Sequence, residues 1–523
     1  MRIEFSGGAG TVTGSSHLLR IKDKRVLLDC GLYQGRDEKD RGNDVFAYIP
    51  STIDVLILSH AHIDHSGRIP LLYKRGFRGK IYATPPAIAL CKILLIDSAY
   101  IHGQDAEWEN KKRSRKGLPP IEPLYTVEDA ENALKLFEPL DFYQEKEIFD
   151  GLRINFIEAG HMLGAAITEL YIEEESRKMK LVYSGDLGNN NIPLMKEPKE
   201  VTEADFLILE STYGNRLHPD TKTEEDELIA IINDTYQRGG NVIIPSFAVG
   251  RTQELIYILN EYAEAGKLAP GIKVYVDSPL ASKSTDIFKA NMSYFDKETQ
   301  EKMLKGDHVL EFENLFFTES VQDSMALNKV RKGAVVISAS GMATAGRIRH
   351  HLKHNLWRSE CSVVFVGYQA VGSLGRILQE GIKGVTLFGE EIAVNARIHS
   401  FSGLSGHADR NGLYNWVKAI RKGPKEIFLT HGDPEASEAL KTLLQDDGYN
   451  VRVAREGDII PIKDYIKLVP EIDVYEMKKT AIEDALLRLR KKELMVKYIE
   501  SIDFERETEI EILSKMKTIL KKQ

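Results

Sequence analysis

An α/β protein containing a parallel sheet is what this sequence predicts, and two observations carry that expectation. Residues 1–210 hold short apolar runs, each ending in a loop rich in glycine, histidine or acidic residues. From about Thr221 the pattern changes to apolar strands separated by helix-length segments, the alternation that a parallel sheet requires. A chain of 523 residues is also too long for one ordinary core, so two or three domains are expected.

Met1–Phe5, Ser16–Ile21 and Arg25–Asp29 read as the first strands, filled by aliphatic and β-branched residues. The glycine-rich stretch Gly7–Gly14 is not followed by Gly-Lys-Ser/Thr or by a helix, so it reads as a turn rather than a phosphate cradle. Asp29 ends the third strand as a carboxylate that could stand near the histidine-rich loop that follows, although a lone Asp proves nothing. The apolar run Ile53–Ser59 then leads into Leu58-Ser-His-Ala-His-Ile-Asp-His-Ser-Gly67, which gathers His60, His62, Asp64 and His65 within six positions. A loop at a strand end can aim several side chains at one point, and imidazole with carboxylate is a donor set that zinc prefers.

Lys111-Lys-Arg-Ser-Arg-Lys116 is the densest basic run, open to reading as a solvated loop or as a nucleic-acid contact. The strand Leu152–Glu158 leads to Ala159-Gly-His-Met-Leu-Gly164, and Lys180–Ser184 leads to Gly185-Asp-Leu-Gly188, supplying His161 and Asp186. Phe206–Glu210 ends in Glu210-Ser-Thr-Tyr-Gly214; a carboxylate there faces a polar site more readily than a strand core. Helices are expected at Thr223–Arg238 and Gly250–Glu264. Strands are expected at Asn241–Pro245, Lys273–Asp277, Ala334–Ser338 and Cys361–Val366. The loops after these strands are rich in glycine and serine, and in open α/β sheets such loops bind ligands, here an anion such as phosphate. Ser338, Ser340, Gly341, Arg347, Gly372 and Arg376 are the candidate substrate contacts. Next come His399-Ser-Phe-Ser-Gly-Leu-Ser-Gly-His-Ala-Asp409, a helix Arg410–Ile420, the strand Glu426–Leu429 with Thr430-His-Gly-Asp433, and a final small pair of strands in Tyr449–Ile462. The charged tail beyond Pro470 reads as a helical extension for packing or association.

Composition narrows the class. Apolar residues at 42% and charged residues at 28% belong to a folded globular chain. No run approaches the ~18 apolar residues of a membrane helix, and no apolar signal-peptide core opens the sequence, so no membrane partner is expected. Three scattered cysteines, Cys30, Cys91 and Cys361, exclude a disulfide framework and suit a cytoplasmic location. A net charge of −8 argues against a globally basic nucleic-acid binder and leaves room for local patches.

Together, the His-x-His-x-Asp-His loop, Gly-His-Met-Leu-Gly and Ser-Gly-Asp-Leu-Gly resemble the metallo-β-lactamase superfamily. Glu210-Ser-Thr-Tyr-Gly, Ser-Gly-His407-Ala-Asp and Thr-His431-Gly resemble the further motifs of its β-CASP branch. The resemblance spans essentially residues 1–465. It implies an αββα sandwich with an inserted parallel-sheet cap, divided as 1–209, an insert at 210–395, a second sandwich part at 396–465, and a C-terminal helical extension at 466–523. It implies two zinc ions: His60, His62 and His161 on one, Asp64, His65 and His431 on the other, with Asp186 bridging. Glu210 and His407 match the family's acidic residue and catalytic histidine, and Asp64 joins them as a catalytic residue. Histidine at 431 is similar to the RNA-processing branch, which implies a ribonuclease leaving 5′-phosphate and 3′-hydroxyl ends, endonucleolytic or exonucleolytic, with single-stranded RNA as partner and a homodimer as one assembly state. The N-terminal KH domains of many archaeal relatives are expected to be absent. Two rivals stand beside this reading: a small-molecule ester or thioester hydrolase, for which the large insert is unnecessary, and a non-catalytic RNA-binding subunit, for which seven filled ligand positions are unnecessary.

Overall fold

Two seven-stranded sheets form the frame of the computed structural model, which describes residues 1–462 apart from 175, 176 and 371. The first sheet runs Ile459–Pro461, Arg2–Gly7, Ser16–Ile21, Lys24–Leu28, Val55–Ile57, Lys80–Ala83, Phe137–Pro139. The second runs Val451–Val453, Glu426–Thr430, Phe206–Glu210, Arg177–Tyr183, Ala166–Glu174, Leu152–Glu158, Lys146–Phe149. They face each other: the Phe5 and Phe428 rings lie 5.7 Å apart, as do those of His17 and Tyr183. Alternation along each strand turns the other set of apolar residues outward. Leu56 and Ile81 of the first sheet and Leu207 and Leu429 of the second lie in a buried cluster with helix residues Leu71, Leu90, Leu94, Leu413 and Leu440. The result is the expected αββα sandwich.

Phe206–Glu210 and Glu426–Thr430 are parallel neighbours in the second sheet, with Glu210 opposite Thr430. The chain between them leaves the sandwich and returns, and most of it builds a third sheet. Its six strands, in the order Leu315–Phe317, Lys273–Val276, Ala334–Ser338, Val242–Pro245, Ser362–Val366, Arg397–Phe401, are all parallel. Helices Thr221–Gln237 and Arg251–Glu264 bury Leu228, Ile232, Leu255 and Leu259 against Val242, Ile244 and Val274 of this sheet. Asp220 caps the first helix by accepting the Thr223 N–H at 2.9 Å.

One expectation holds with a difference and another is corrected. Tyr449–Ile462 holds the two expected strands, but they do not pair with each other. Val451–Val453 adds to Glu426–Thr430 in the second sheet, and Ile459–Pro461 adds to Arg2–Gly7 in the first. Three-residue strands gain more from an established sheet edge than from each other. Nor is Lys111–Lys116 a loop: its first five residues are the last turns of a helix spanning Pro85–Arg115, 31 residues long and capped by Thr84. This is the one described helix long and apolar enough to cross a membrane by length and composition, yet its apolar residues Leu90, Cys91, Leu94 and Leu95 are buried in the protein. The helical extension expected at 466–523 lies outside the described residues.

Candidate metal centre

Loops at the ends of sandwich strands bring the seven expected ligands together. His60 Nε2 lies 3.1 Å from His62 Nδ1, which is in turn 3.1 Å from His161 Nε2. Asp186 Oδ2 stands 3.4 Å from His60 Nε2 and 3.7 Å from His161 Nε2, closing a set of four. Beside it, His65 Nε2 lies 3.2 Å from His431 Nε2, which is 3.5 Å from Asp64 Oδ2. Asp64, His65 and His431 thus form a second set, and Asp186 belongs to both neighbourhoods, with Oδ2 3.2 Å from His65 Nε2 and Oδ1 3.4 Å from His431 Nδ1.

Outer contacts fix which ring nitrogen faces the centre. His65 Nδ1 donates to Asp29 Oδ2 at 2.6 Å, and His161 Nδ1 to the Gly406 carbonyl at 2.8 Å. His60 Nδ1 lies 3.0 Å from Ser59 Oγ, which itself donates to Asp29 Oδ2 at 2.7 Å. Each of these rings therefore points a lone pair inward, the arrangement of metal-ligating histidines. Burial, reinforced by neighbouring imidazoles, pushes His60 and His161 well below the usual histidine range, so both rings stay neutral and no positive charge drives them apart. His62 is driven down to about 4, first by burial. Asp186 Oδ1, buried, has no hydrogen-bond partner. Neutral His60, His62 and His161 thus gather beside Asp186 and its unpartnered oxygen. His65, against its burial, is held well above the usual histidine range by Asp186 and Asp29. A dense donor set of this kind fits a cation.

The backbone beneath is packed to its limit. Ser15 N donates to the Asp64 carbonyl at 2.9 Å and Cys30 N to that of His65 at 2.7 Å. A Cβ on Gly31 would lie 1.6 Å from the Asp64 carbonyl oxygen, so only glycine lets this strand end approach the ligand loop. From the other side, His431 N donates to Gly8 O at 2.6 Å, which gives the turn Gly7–Gly14 its task of holding the last ligand loop.

His407 and Glu210 stand at the edge of the cluster. His407 Nδ1 is 3.2 Å from Glu210 Oε1, with the imidazole about one-fifth exposed and the carboxylate buried. Burial alone would lower this imidazole, but the Glu210 carboxylate outweighs it and lifts His407 to about 9. His407 is thus a protonated donor beside the ligands, on the side where His62 and Asp64 also remain partly accessible.

The expected substrate contacts divide. Ser338 is buried and donates to the Asp277 carbonyl at 2.9 Å. Arg347 donates from Nη1 to Asp277 Oδ1 and from Nη2 to the Glu319 carbonyl, at 2.7 and 2.6 Å, so its guanidinium holds the insert together instead of facing a phosphate. Ser340, Gly372 and Arg376 keep exposure, although Arg376 Nε also pairs with Glu380. Gly341 is buried, and a Cβ there would meet the Phe247 ring at 3.0 Å. The loop carrying Gly372 approaches the ligand loops through Tyr368, whose hydroxyl donates to Asp433 Oδ2 at 3.4 Å.

Three supporting residues escaped sequence reasoning. Tyr183 donates to Asp29 Oδ2 at 2.6 Å, Thr212 Oγ1 lies 3.1 Å from His431 Nδ1, and His218 Nε2 donates to the His407 carbonyl at 3.1 Å. The only signal in the sequence was their position at or near strand ends next to ligand motifs.

Comparison with known proteins agrees with this geometry. Residues 18–190 match the metallo-beta-lactamase superfamily domain, 252–378 the Beta-Casp domain, and 391–454 the Zn-dependent metallo-hydrolase RNA specificity domain. A ribonuclease of Thermus thermophilus is 36% identical over 462 residues, covering 88% of this chain and 100% of that protein. The transcription termination factor FttA of Methanocaldococcus jannaschii is 32% identical over 450 residues, 83% of this chain and 67% of the factor. An RNase J-like protein of the same organism is 32% identical over 434 residues, 82% of this chain and 92% of that protein.

Proposed function

The chain belongs to the β-CASP branch of the metallo-β-lactamase superfamily, and from that premise we propose that it is a zinc-dependent ribonuclease hydrolysing RNA to 5′-phosphate and 3′-hydroxyl ends. The observation that carries the reading is the shared position of Asp186 between two donor sets, with a protonated His407 beside them. His60, His62 and His161 would hold one zinc and Asp64, His65 and His431 the other, bridged by Asp186. Bound there, two such ions supply neutralisation of phosphate charge and water of lowered pKa.

The chain's own residues do the rest. His407 is held protonated by Glu210 and donates to the leaving 3′ oxygen, which fixes the 3′-hydroxyl product. Glu210 keeps the ring oriented, since its Oε1 also accepts the Leu187 N–H at 2.7 Å. We assign phosphate contact outside the metal sets to Ser340, Gly372 and Arg376. Within the chain, 1–209 and 396–465 are read as sandwich and 210–395 as the insert; the strand Arg397–Phe401, completing the third sheet, supports extending the insert by a few residues. Residence in the cytoplasm belongs to the same reading, supported by three free, buried cysteines. A homodimer is an assembly state for sedimentation to decide.

The test combines metal analysis with cleavage of end-labelled and circular RNA, single-stranded DNA and a chromogenic ester. RNA cleavage requiring zinc, with 5′-phosphate ends, is the expected result. Ester hydrolysis without RNA cleavage would favour the small-molecule rival. Cutting of circular RNA establishes endonucleolytic action, and loss of label from one end establishes exonucleolytic action.

A further inference from the structure

The basic run Lys111–Lys116 takes no part in the site described above, and the helix that carries it has an unusual outer face. Among residues 90–113 the inner face of helix Pro85–Arg115 is packed: Leu95, Ala99 and Ala106 are buried, and the His102 ring lies 5.0 Å from that of Tyr125. On the opposite face Tyr100, Gln104, Trp108, Lys111 and Arg115 recur every three or four residues and are all exposed. Trp108 is 61% and Tyr100 58% exposed, large surfaces to leave in water. Lys112 Nζ sits 3.0 Å from the centre of the Trp108 ring, and Gln104 Nε2 donates to the Tyr100 hydroxyl at 2.8 Å, so both aromatic side chains are held by their neighbours. Lys112 also lies 4.0 Å from Glu109, and Glu107 borders the face, so the cationic character comes chiefly from Lys111, Arg115 and Lys116.

We propose that this face, from Tyr100 to Lys116, is a second RNA-binding surface, stacking a base on Trp108 and taking flanking phosphates on Lys111, Arg115 and Lys116. The inference rests on the reading of the protein as a ribonuclease. Flat aromatic rings interleaved with cations are what single-stranded nucleic acid needs, since every base has a stacking face and every linkage a charge. A second copy of this chain fits less well: a two-fold contact here would bring the same cationic run against itself. The surface is also tied to the catalytic end of the molecule. Thr84, at the start of the helix, donates from Oγ1 to the carbonyl of Gly164, which closes the His161 loop, at 2.6 Å. Trp108 lies 24 residues farther along, about 36 Å at the helical rise. An RNA strand would need roughly ten nucleotides to reach it at ~3.4 Å per stacked nucleotide. The surface therefore engages long substrates and misses short ones.

The test uses full-length, zinc-loaded protein with oligoadenylates of about 6 and about 30 nucleotides, below and above that span, and bis(p-nitrophenyl) phosphate as a minimal diester. Trp108→Ala should raise Kd and KM for the long RNA about 5- to 100-fold while leaving kcat, the short RNA and the minimal diester unchanged. Reversing charge at Lys111, Arg115 and Lys116 together should do the same and flatten the salt dependence of binding by about 0.7 log unit for each phosphate no longer neutralised. Tryptophan fluorescence of the wild type should be quenched by the long RNA, and less so in Trp108→Ala. Variants matching wild type on both lengths would overturn the proposal while leaving the ribonuclease intact. So would a change in sedimentation without a change in RNA affinity, which would make the face a self-association surface. If wild type neither binds nor cleaves either RNA yet hydrolyses the diester, the functional reading itself fails.

Discussion

Glu210 Oε1 accepts two hydrogen bonds at once, from His407 Nδ1 at 3.2 Å and from the Leu187 backbone N–H at 2.7 Å, and Leu187 directly follows Asp186, which lies beside both donor sets. One buried carboxylate thus ties the His407 imidazole to the loop that carries Asp186. That relationship separates His407 from His431, which stand in similar short loops late in the chain.

His431→Ala should lower metal content and abolish cleavage together, because His431 Nε2 is one of the converging donors. His407→Ala should keep both metals and RNA affinity while cleavage falls about 10²- to 10⁴-fold, the usual effect of removing a general acid. Glu210→Gln should be milder and carry a pH signature. The carboxylate holds His407 up near 9, so removing its charge lowers that pKa and shifts the alkaline limb of kcat to lower pH. Metal analysis, RNA binding and single-turnover pH profiles on the three variants check the assignment. Loss of metal in His407→Ala, or an alkaline limb unmoved in Glu210→Gln, would show that the roles are wrong.

Asp29 supports the second donor set from beneath. It is fully buried, and its Oδ2 accepts from His65 Nδ1, Ser59 Oγ and Tyr183 Oη while Oδ1 accepts the Ser59 N–H. Asn at this position keeps the shape but replaces one acceptor by a donor, loosening the tautomer of His65. Asp29→Asn should weaken metal affinity about 10- to 100-fold, read by competition with a chromogenic chelator. Affinity equal to wild type would mean that packing alone orients His65.

Why the ligands were legible in the sequence and their supports were not follows from where each lies. His60, His62, Asp64 and His65 sit in six consecutive positions because one strand-end loop presents them all, and His161, Asp186 and His431 each close a comparable loop. Their chemistry survives in the bare sequence. Asp29 was legible as a strand-end carboxylate near the ligand loop, but its bond to His65 was not: that depends on Lys24–Leu28 and Val55–Ile57 being parallel neighbours, a pairing no local pattern encodes. Arg347 misled for the same reason: near a glycine-serine loop it reads as a phosphate contact, yet the partner that occupies it, Asp277, is 70 residues away. The parallel sheet of the insert was legible from the alternation of strands and helices, whereas the αββα frame was legible only through the resemblance that the ligand motifs carry. The helix through Lys111–Lys116 was hidden, because beyond Ala99 its outward residues are charged and aromatic and only the inner positions keep the apolar spacing.

Asp277 offers a test of the insert that is independent of metal. Fully buried at the end of Lys273–Val276, it accepts from His351 Nε2 and Ser324 Oγ at 2.6 Å and from Thr318 Oγ1 and Arg347 Nη1 at 2.7 Å. Burial by itself would raise this carboxyl, but the four donors outweigh it and bring it down to about 2. A folded-state pKa below the unfolded one contributes stability above the unfolded value, near 4, and loses it as pH falls toward 2. Discounted for solvent reaching Arg347 at the edge, that contribution is about 1–2 kcal/mol. Asp277→Asn cannot satisfy four donors and leaves Arg347 without its counter-charge, so at pH 7 it should destabilise the protein by about 2–4 kcal/mol. Between about pH 4 and pH 2 the gap from wild type should narrow, since wild type alone loses the ionised network there. Urea unfolding of both proteins at several pH values, with chelator throughout to silence the metal sets, measures that gap. A gap that stays constant or widens as pH falls would mean that the carboxylate is not the origin of the stabilisation.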